Sequence, residues 1–198
     1  MHPVPAAARE IIENLHQAYR SRGVCPLPHE KWTRFLLPGF AILTLVIDQI
    51  SKRVVMTGLR PGESWNPVAA LERWVSLTYV TNTGAAFGLF PDHGVLFMII
   101  AVVVAAVIVF YYRYLPGDRW LIQASLGLQL GGALGNLLDR LCYGHVIDFV
   151  DFKVWPVFNL ADTAIVVAVT ILAWHLWRDE RFSAEGSEVP SKFNRSYE

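Results

Sequence analysis

The sequence predicts an α-helical membrane protein, a four-transmembrane-helix bundle with a small β platform on one side of the membrane. Hydrophobic residues make up 54% of the chain and only 17% are charged, whereas a soluble domain usually carries about a quarter charged residues. Four apolar segments are long enough to cross a bilayer, and two of the segments between them carry strand-like patterns. This much apolar surface requires a solvent other than water.

The four apolar segments each approach the ~20 residues that a helix needs to cross the hydrocarbon core. They cover residues 35–56, 94–112, 120–138 and 157–177. Only helices and closed barrels satisfy their backbone groups in lipid, and continuous apolar runs exclude a barrel. The spans define a core domain at 35–178, preceded by an N-terminal extension at 1–34 and followed by a tail at 179–198, which we expect to be disordered because it is polar.

Basic residues near the span ends orient the predicted bundle, because the cytoplasmic loops of membrane proteins are enriched in Lys and Arg. They precede the first span, flank the short connection between the second and third, and follow the fourth: Lys31, Arg34, Arg113, Arg119, Arg178 and Arg181. Lys52 and Arg53 lie on the opposite side and reduce this excess of basic residues on the cytoplasmic side. We therefore expect both termini in the cytoplasm and both longer loops outside.

The two outer loops, residues 57–93 and 139–156, are expected to form the β platform. The Arg-Pro-Gly-Glu stretch at 60–63 is typical of a turn. Residues 75–79 alternate and contain β-branched and aromatic side chains, which predicts a strand. Residues 151–155 predict a second short strand for the same reason.

Four aspartates lie near the outward ends of the spans: Asp48, Asp139, Asp148 and Asp162. A carboxylate in hydrocarbon is costly unless it faces a partner or water, so it indicates function. Asp162 has the strongest case, because it is placed about five residues inside an apolar span. Asp48 can instead form a helix-surface pair with Lys52 four residues later. Asp139 can pair with the adjacent Arg140.

Two neighbouring carboxylates can hydrolyse a peptide bond. Like charges at short range cannot both ionise, so one pKa rises. The charged carboxylate then removes a proton from water, and the protonated one donates a hydrogen bond to the scissile carbonyl. The residues alone leave open whether Asp139 or Asp148 is the partner of Asp162. A zinc site at His145 and Asp148 is disfavoured, since no third ligand follows at a zinc-binding spacing.

Asparagines and glycines complete the set of candidate residues. Three asparagines lie beside span ends or acids, where they can orient a carboxylate, grip a substrate backbone or bond between helices: Asn82, Asn136 and Asn159. The third span carries small residues that indicate close helix packing, with a spacing of four among three of them: Gly127, Gly131, Gly132 and Gly135.

Five sequence blocks, in this order, resemble the lipoprotein signal peptidases, the bacterial signal peptidase II family of membrane aspartyl proteases. The resemblance extends from about Phe40 to Trp177. The blocks are Asp-Gln-Ile-Ser-Lys at 48–52, Asn-Thr-Gly-Ala-Ala-Phe at 82–87, Gly-Gly-Ala-Leu-Gly-Asn-Leu-Leu-Asp-Arg at 131–140, Val-Ile-Asp-Phe at 146–149, and Phe-Asn-Leu-Ala-Asp at 158–162.

The resemblance implies that Asp148 and Asp162 are the catalytic pair, in an enzyme with four transmembrane helices and an extracytoplasmic β cradle. Supporting positions around the active site would be Asn136, Asp139, Arg140 and Asn159, and positions that are structural or contact the substrate would be Asp48, Lys52 and Asn82. The implied substrate is a prolipoprotein whose cysteine carries diacylglycerol, cut on the amino side of that cysteine without a metal or cofactor.

The partners expected on this basis are prolipoproteins and the lipids of a bacterial inner membrane, with the protein itself a monomer. Nucleic acid is not expected, because the net charge is +0 and no basic stripe is present.

Two other functions are compatible with parts of the sequence. A small transporter could bind a cation at Asp48 and Asp162. A conduit would distribute polar groups through the full membrane thickness, however, and the second span has none. A structural assembly subunit could use the glycine ridge as its interface, but that function leaves Asp162 unexplained.

Overall fold

The computed structural model describes Thr33 and residues 35–84, 94–114 and 119–186, with side chains up to residue 178. The predicted N-terminal extension and residues 187–198 lie outside the described residues. Four long helices, a three-stranded sheet and a short 3-10 helix (Ala69–Leu71) are the regular elements of the described residues. The helices are α1 (Leu36–Gly58), α2 (Gly94–Tyr112), α3 (Trp120–Tyr143) and α4 (Leu160–Gly186), and the strands are β1 (Ser64–Trp65), β2 (Ser76–Asn82) and β3 (Val146–Asp151).

Three of these helices are long and apolar enough to cross a membrane: α2, α3 and the Leu160–Arg178 part of α4. The 23-residue α1 is long enough but carries three charged residues in one stretch: Asp48, Lys52 and Arg53. The protein is therefore a mostly helical membrane protein with a small sheet. The helix α3 is central, since α1, α2 and α4 all pack against it.

The glycine ridge of α3 brings its backbone against α1, as predicted. A Cβ atom added to Gly127 would lie 2.6 Å from the Leu37 carbonyl oxygen, and one added to Gly131 would lie 2.5 Å from the Ala41 carbonyl oxygen. On another face of α3, a Cβ on Gly132 would lie 2.6 Å from the carbonyl oxygen of Ala161 in α4. Backbone atoms cannot move aside as a side chain can, so these positions require glycine.

Gly131→Ala is expected to lower the free energy of unfolding by about 1–3 kcal/mol, the usual range for overpacking. The matched control is Gly39→Ala on α1, where an added Cβ meets no atom within 4 Å. There alanine should stabilise the helix by up to about 1 kcal/mol. The free energies of unfolding of both variants, measured in detergent, test these two expectations. Equal stability of the two would show that the α1–α3 contact is not this close.

Several helix ends differ from the predicted spans. The helix α3 continues five residues past 138, to Tyr143, and stops at Gly144, whose φ of 78° is the left-handed conformation that glycine favours. The helix α4 starts at Leu160 rather than at 157, because the backbone of Phe158 bonds to Val150 at the edge of the sheet. Asp162 is therefore in the first turn of α4 and not five residues inside a span.

The tail prediction was wrong for residues 179–186, because α4 runs on to Gly186. The segment Arg-Asp-Glu-Arg-Phe-Ser-Ala-Glu at 178–185 is polar, but its Arg, Glu and Ala residues have high helix propensity and it continues a helix that has already formed.

The three strands pair antiparallel in the order β1-β2-β3. The predicted turn at 60–63 is confirmed: Glu63 N–H donates to the Arg60 carbonyl at 2.8 Å and Gly62 has a φ of 84°. The predicted strand at 75–79 corresponds to β2, which extends three residues further.

The predicted strand at 151–155 was wrong, since the last strand is Val146–Asp151. The Asp151 carboxylate accepts the Lys153 backbone N–H at 3.1 Å, and Lys153 has a φ of 28°. An aspartate that bonds its own backbone two residues later favours a turn over an extended chain.

Candidate active site

Asp148 lies near the middle of β3, and its carboxylate is almost fully buried, with 2% of the residue exposed. Its register partner on β2 is Val80. Asn159 Nδ2 donates to Asp148 Oδ1 at 2.7 Å, and Asn82 Nδ2 donates to Asp148 Oδ2 at 2.9 Å. Two neutral amides therefore hold both oxygens of this carboxylate.

Asp162 is fixed by the way α4 begins. Asp162 N–H donates to Asn159 Oδ1 at 2.9 Å, and Asp162 Oδ2 accepts the Asn159 backbone N–H at 3.3 Å. This reciprocal pair of bonds is a capping box at the helix start. The other oxygen, Asp162 Oδ1, accepts from Asn136 Nδ2 of α3 at 2.8 Å. The positive end of the helix dipole also lies beside this carboxylate.

Two asparagines connect the carboxylates. Asn159 Nδ2 donates to Asp148 Oδ1 and also to Asn136 Oδ1, the latter at 3.1 Å. Asn136 Oδ1 accepts a second hydrogen bond, from Lys52 Nζ, at 3.0 Å. These donors fix which end of the Asn136 amide is oxygen, so its nitrogen must face Asp162.

Lys52 forms the centre of a buried ionic cluster beneath the asparagines. Its Nζ lies 2.8 Å from both Asp48 Oδ2 and Asp139 Oδ2, and all three side chains are at most 1% exposed. Asp48 Oδ1 accepts the Ala161 N–H at 3.0 Å, and Asp139 Oδ2 accepts the Ile147 N–H at 3.2 Å. The cluster thereby ties α1 and α3 to the segments that carry the two other aspartates.

Three expectations about the acids change with this geometry. Asp48 and Lys52 do form the i, i+4 pair, but in the protein interior and not on a helix surface. Asp139 pairs with Lys52 rather than with Arg140. Asp48 is bonded to Lys52 and to backbone, which argues against a transported cation held between Asp48 and Asp162.

Arg140 lies at the side of the site, on the last turn of α3. Its guanidinium donates to the Gly84 carbonyl at 3.3 Å and to the Asn136 carbonyl at 3.4 Å, and it stacks over the Phe97 ring at 5.4 Å. This cation links the segment after β2 to α2 and α3 around the carboxylates and adds positive potential to the site.

Gln49 belongs to the same network but was not assigned a role from the sequence. Its Nε2 donates to Asp139 Oδ1 at 2.9 Å and to the Gly135 carbonyl at 3.3 Å. The signal was its place in the Asp-Gln-Ile-Ser-Lys block, between two residues that were assigned.

Burial raises the pKa of Asp148 to about 6, and the negative charge of Asp162 adds to this effect. The amides of Asn82 and Asn159 oppose the rise, because they donate to the charged form. Within the part of the chain that the structure describes, no cation bonds directly to either carboxylate. Neutral amide partners leave the repulsion between Asp148 and Asp162 in place, which contributes to the raised pKa of Asp148.

Both carboxylates line a cleft of about 760 Å³ between α2, α3 and α4. Its polar end holds Asn82, Asn136, Arg140, Asp148 and Asp162, and its remaining walls are mostly apolar side chains of the three helices. Asp139 is fully buried and is not part of the lining. An apolar ligand segment can therefore occupy the cleft with a polar bond placed at the two aspartates.

Metal binding has little support among the side chains that the structure describes. Within them, no group of three or more His, Cys, Asp or Glu residues has a metal-binding arrangement. The His145 ring lies beside Tyr143, at 6.3 Å between centroids. In the described part of the chain, the zinc alternative at His145 and Asp148 has no third ligand.

Comparison with known proteins gives one consistent family. Residues 40–178 match the family described as Signal peptidase (SPase) II. The lipoprotein signal peptidase of Moorella thermoacetica is 52% identical over 142 residues, which cover 72% of this chain and 91% of that protein. That of Halothermothrix orenii is 41% identical, covering 71% and 94%.

The fold matches as well. A solved structure described as a bacterial membrane enzyme at 2.3 Å resolution superposes with a TM-score of 0.65 and 27% identity, over 71% of this chain and 87% of that one. A second, at 1.9 Å resolution, gives a TM-score of 0.63 at the same identity, with coverage of 71% and 91%.

Proposed function

The chain belongs to the signal peptidase (SPase) II family of bacterial membrane proteases, and from this we propose that it removes signal peptides from diacylglyceryl-modified prolipoproteins. The cut falls before the lipidated cysteine. Asp148 and Asp162 are the catalytic residues, and they activate water as a pair.

One observation carries the proposed mechanism: a buried carboxylate, Asp148, and a half-buried one, Asp162, face one cleft, each held by amide donors and joined through Asn136 and Asn159. Five of the nine residues assigned from the sequence line the cleft. The other four are bonded to lining residues, either directly, as Asn159 and Lys52 are, or through Lys52, as Asp48 and Asp139 are. Asp48, Lys52 and Asp139 act as a buried support, because Lys52 orients Asn136 and Asn136 orients Asp162.

In the resting site the pair shares one proton. The charged carboxylate takes a proton from a water molecule, whose oxygen attacks the scissile carbonyl carbon. The protonated carboxylic acid hydrogen-bonds to the carbonyl oxygen as negative charge develops there. The tetrahedral intermediate then collapses, the C–N bond breaks, and a proton passes to the departing cysteine amine. The products are a signal peptide with a new carboxylate and a lipidated cysteine with a free amino group.

We also propose that α1 is a fourth transmembrane helix. The charges of Asp48 and Lys52 are paired and fully buried, so they are not presented to lipid. The exposed positions before Arg53 are instead largely apolar: Ile42, Leu43, Val46, Ile47 and Ile50. A helix of 23 residues is about 35 Å long, sufficient to cross the hydrocarbon core.

The proposed orientation follows the basic residues of the loops, with both termini in the cytoplasm and the site at the outer face of the inner membrane. The sheet then lies outside, with exposed aromatic side chains such as Trp65, Trp74 and Trp155 at the level where Trp is enriched in membrane proteins. The protein acts as a monomer within surrounding lipid, since one chain contains the whole site.

The test of this function is cleavage by the purified protein in detergent. A diacylglyceryl-modified prolipoprotein should yield a signal peptide that ends immediately before the modified cysteine, and mass spectrometry of both products identifies the cut. EDTA should leave the rate unchanged. No cleavage by folded protein would refute the function, and loss with EDTA that zinc restores would refute the two-carboxylate mechanism.

The pH dependence follows from the raised pKa of Asp148. As the pH rises through about 6, the shared proton is lost, both carboxylates become charged, and no acid remains for the scissile carbonyl. We expect kcat/KM to fall above this pH.

The variant Asn82→Ala tests this assignment. It removes a donor that favours the charged form of Asp148, so the decline in kcat/KM should move to higher pH. Thr81→Ala, at the exposed neighbouring position of β2, is the control and should leave the profile unchanged. A profile that does not move in Asn82→Ala would contradict the assignment.

A further inference from the structure

A polar side chain, Gln129, lies in the apolar part of the cleft. It is on α3 and lines the same cleft as Ala133, Asn136 and Arg140. These positions are spaced by four, three and four residues, so they form one stripe along the helix. At 1.5 Å per residue, Gln129 lies about 10 Å further along α3 than Asn136, toward the middle of the membrane.

Most side chains that line the cleft beyond its polar end are apolar. The cleft walls on both sides of α3 at this level are apolar: Ile100, Ala101 and Val104 from α2, and Ile165 and Val166 from α4. Across residues 35–84, 94–114 and 119–178, no hydrogen bond to the Gln129 carboxamide is found. The other amides of the cleft, Asn82 and Asn136, both have several partners. A polar group without a hydrogen-bond partner in apolar surroundings is unfavourable.

We propose that Gln129 is a substrate-recognition residue, whose amide donates a hydrogen bond to a carbonyl oxygen of the substrate segment that occupies the cleft. This inference rests on the proposed function. With the scissile bond at Asp148 and Asp162, the part of the substrate that lies deeper in the cleft is embedded in the membrane. It is either the end of the signal helix or the diacylglyceryl group.

Both parts of the substrate offer the same chemistry. The last four carbonyl groups of a helix have no partner within the helix, and each acyl chain of the diacylglyceryl group begins at an ester carbonyl. Either is an acceptor for the two N–H groups of a glutamine amide. The bond would be made when the substrate enters, and it would be absent from the empty cleft.

Gln129→Met tests the inference, because methionine keeps the length of the side chain and removes the donor. KM should rise about 3–10-fold, the equivalent of one hydrogen bond, while kcat changes less than twofold. The unfolding temperature should stay equal or increase, since the free protein loses an unpartnered polar group. The control is Gln123→Met on the same helix. Gln123 is buried and does not line the cleft, so Gln123→Met should leave KM unchanged.

A substrate with ether links in place of both esters identifies the acceptor. If the acceptor is an ester carbonyl, the wild-type KM rises by the same factor and Gln129→Met has no further effect. If it is a peptide carbonyl, Gln129→Met keeps its full effect on the ether substrate. An unchanged KM in Gln129→Met with the ester substrate, or an equal rise in Gln123→Met, overturns the inference while the peptidase function stands. Absence of cleavage by the wild-type protein overturns both.

Discussion

Asp148→Asn and Asp162→Asn should each lower kcat for prolipoprotein cleavage by about 10³-fold or more. Each replacement removes either the base that activates water or the acid at the carbonyl, and such groups contribute about 10²–10⁴-fold apiece. The two losses should not add in the double variant, because the carboxylates act as a unit. Rates are measured with saturating lipidated prolipoprotein in detergent.

The matched control for these variants is Asp151→Asn. Asp151 lies at the end of the same strand as Asp148, but its carboxylate bonds to Lys153 and Thr78 away from the cleft. The Asp151→Asn variant should cleave the prolipoprotein at the wild-type rate. Both oxygens of Asp148 accept amide donors, so Asp148→Asn places an NH₂ group against another. Its thermal unfolding must therefore be compared with that of Asp162→Asn. If either variant folds and still cleaves the prolipoprotein at the wild-type rate, Asp148 and Asp162 are not the catalytic pair.

Lys52→Met should produce the largest loss of stability, about 3–5 kcal/mol. The substitution leaves Asp48 and Asp139 facing each other, buried and without a cation. Removing one partner of a buried ionic group is destabilising on this scale because the remaining charge is not solvated. Asn136 also loses a donor that orients it toward Asp162, so activity should fall in whatever fraction remains folded.

Two comparisons separate this effect from the loss of any lysine. Lys153→Met removes an ion pair with Asp151 that is partly exposed, so it should change stability by less than about 1 kcal/mol. Combining Lys52→Met with Asp48→Asn and Asp139→Asn removes all three charges and should recover much of the loss. The free energies of unfolding of these variants are measured in detergent. A loss below about 1 kcal/mol in Lys52→Met would contradict the conclusion that Lys52 neutralises two buried carboxylates.

Much of the fold follows from local sequence, and this is clearest for the spans and the glycine ridge. Apolar length identifies helices that need lipid, and spacing of four identifies a face that needs close packing. Helix ends depend on less local effects. Val157 and Phe158 were assigned to the fourth span because they are apolar, yet Phe158 is bonded to the edge of β3. The depth of Asp162 in the membrane was overestimated for this reason.

The candidate site shows the same division between local and distant contacts. An acid within an apolar helix is visible in the sequence, and so is the spacing of Asp48 and Lys52. The contact that places Lys52 on Asp139 joins positions 87 residues apart, and no local pattern contains it. Residue types alone therefore left Asp139 and Asp148 equivalent. In the folded chain Asp139 is enclosed by Lys52 and Gln49, whereas Asp148 faces the cleft.

The central claim, that Asp148 and Asp162 act together on the scissile carbonyl, is tested most directly by the binding of a tetrahedral mimic. A lipidated lipobox peptide with a hydroxyethylene group in place of the scissile amide is compared with its counterpart lacking the hydroxyl. The wild-type protein should bind the hydroxyl compound at least about 100-fold more tightly, as enzymes bind mimics of the transition state. This preference should disappear in Asp148→Asn and in Asp162→Asn. An undiminished preference in either variant would show that the hydroxyl, and hence the carbonyl, does not lie between the two carboxylates.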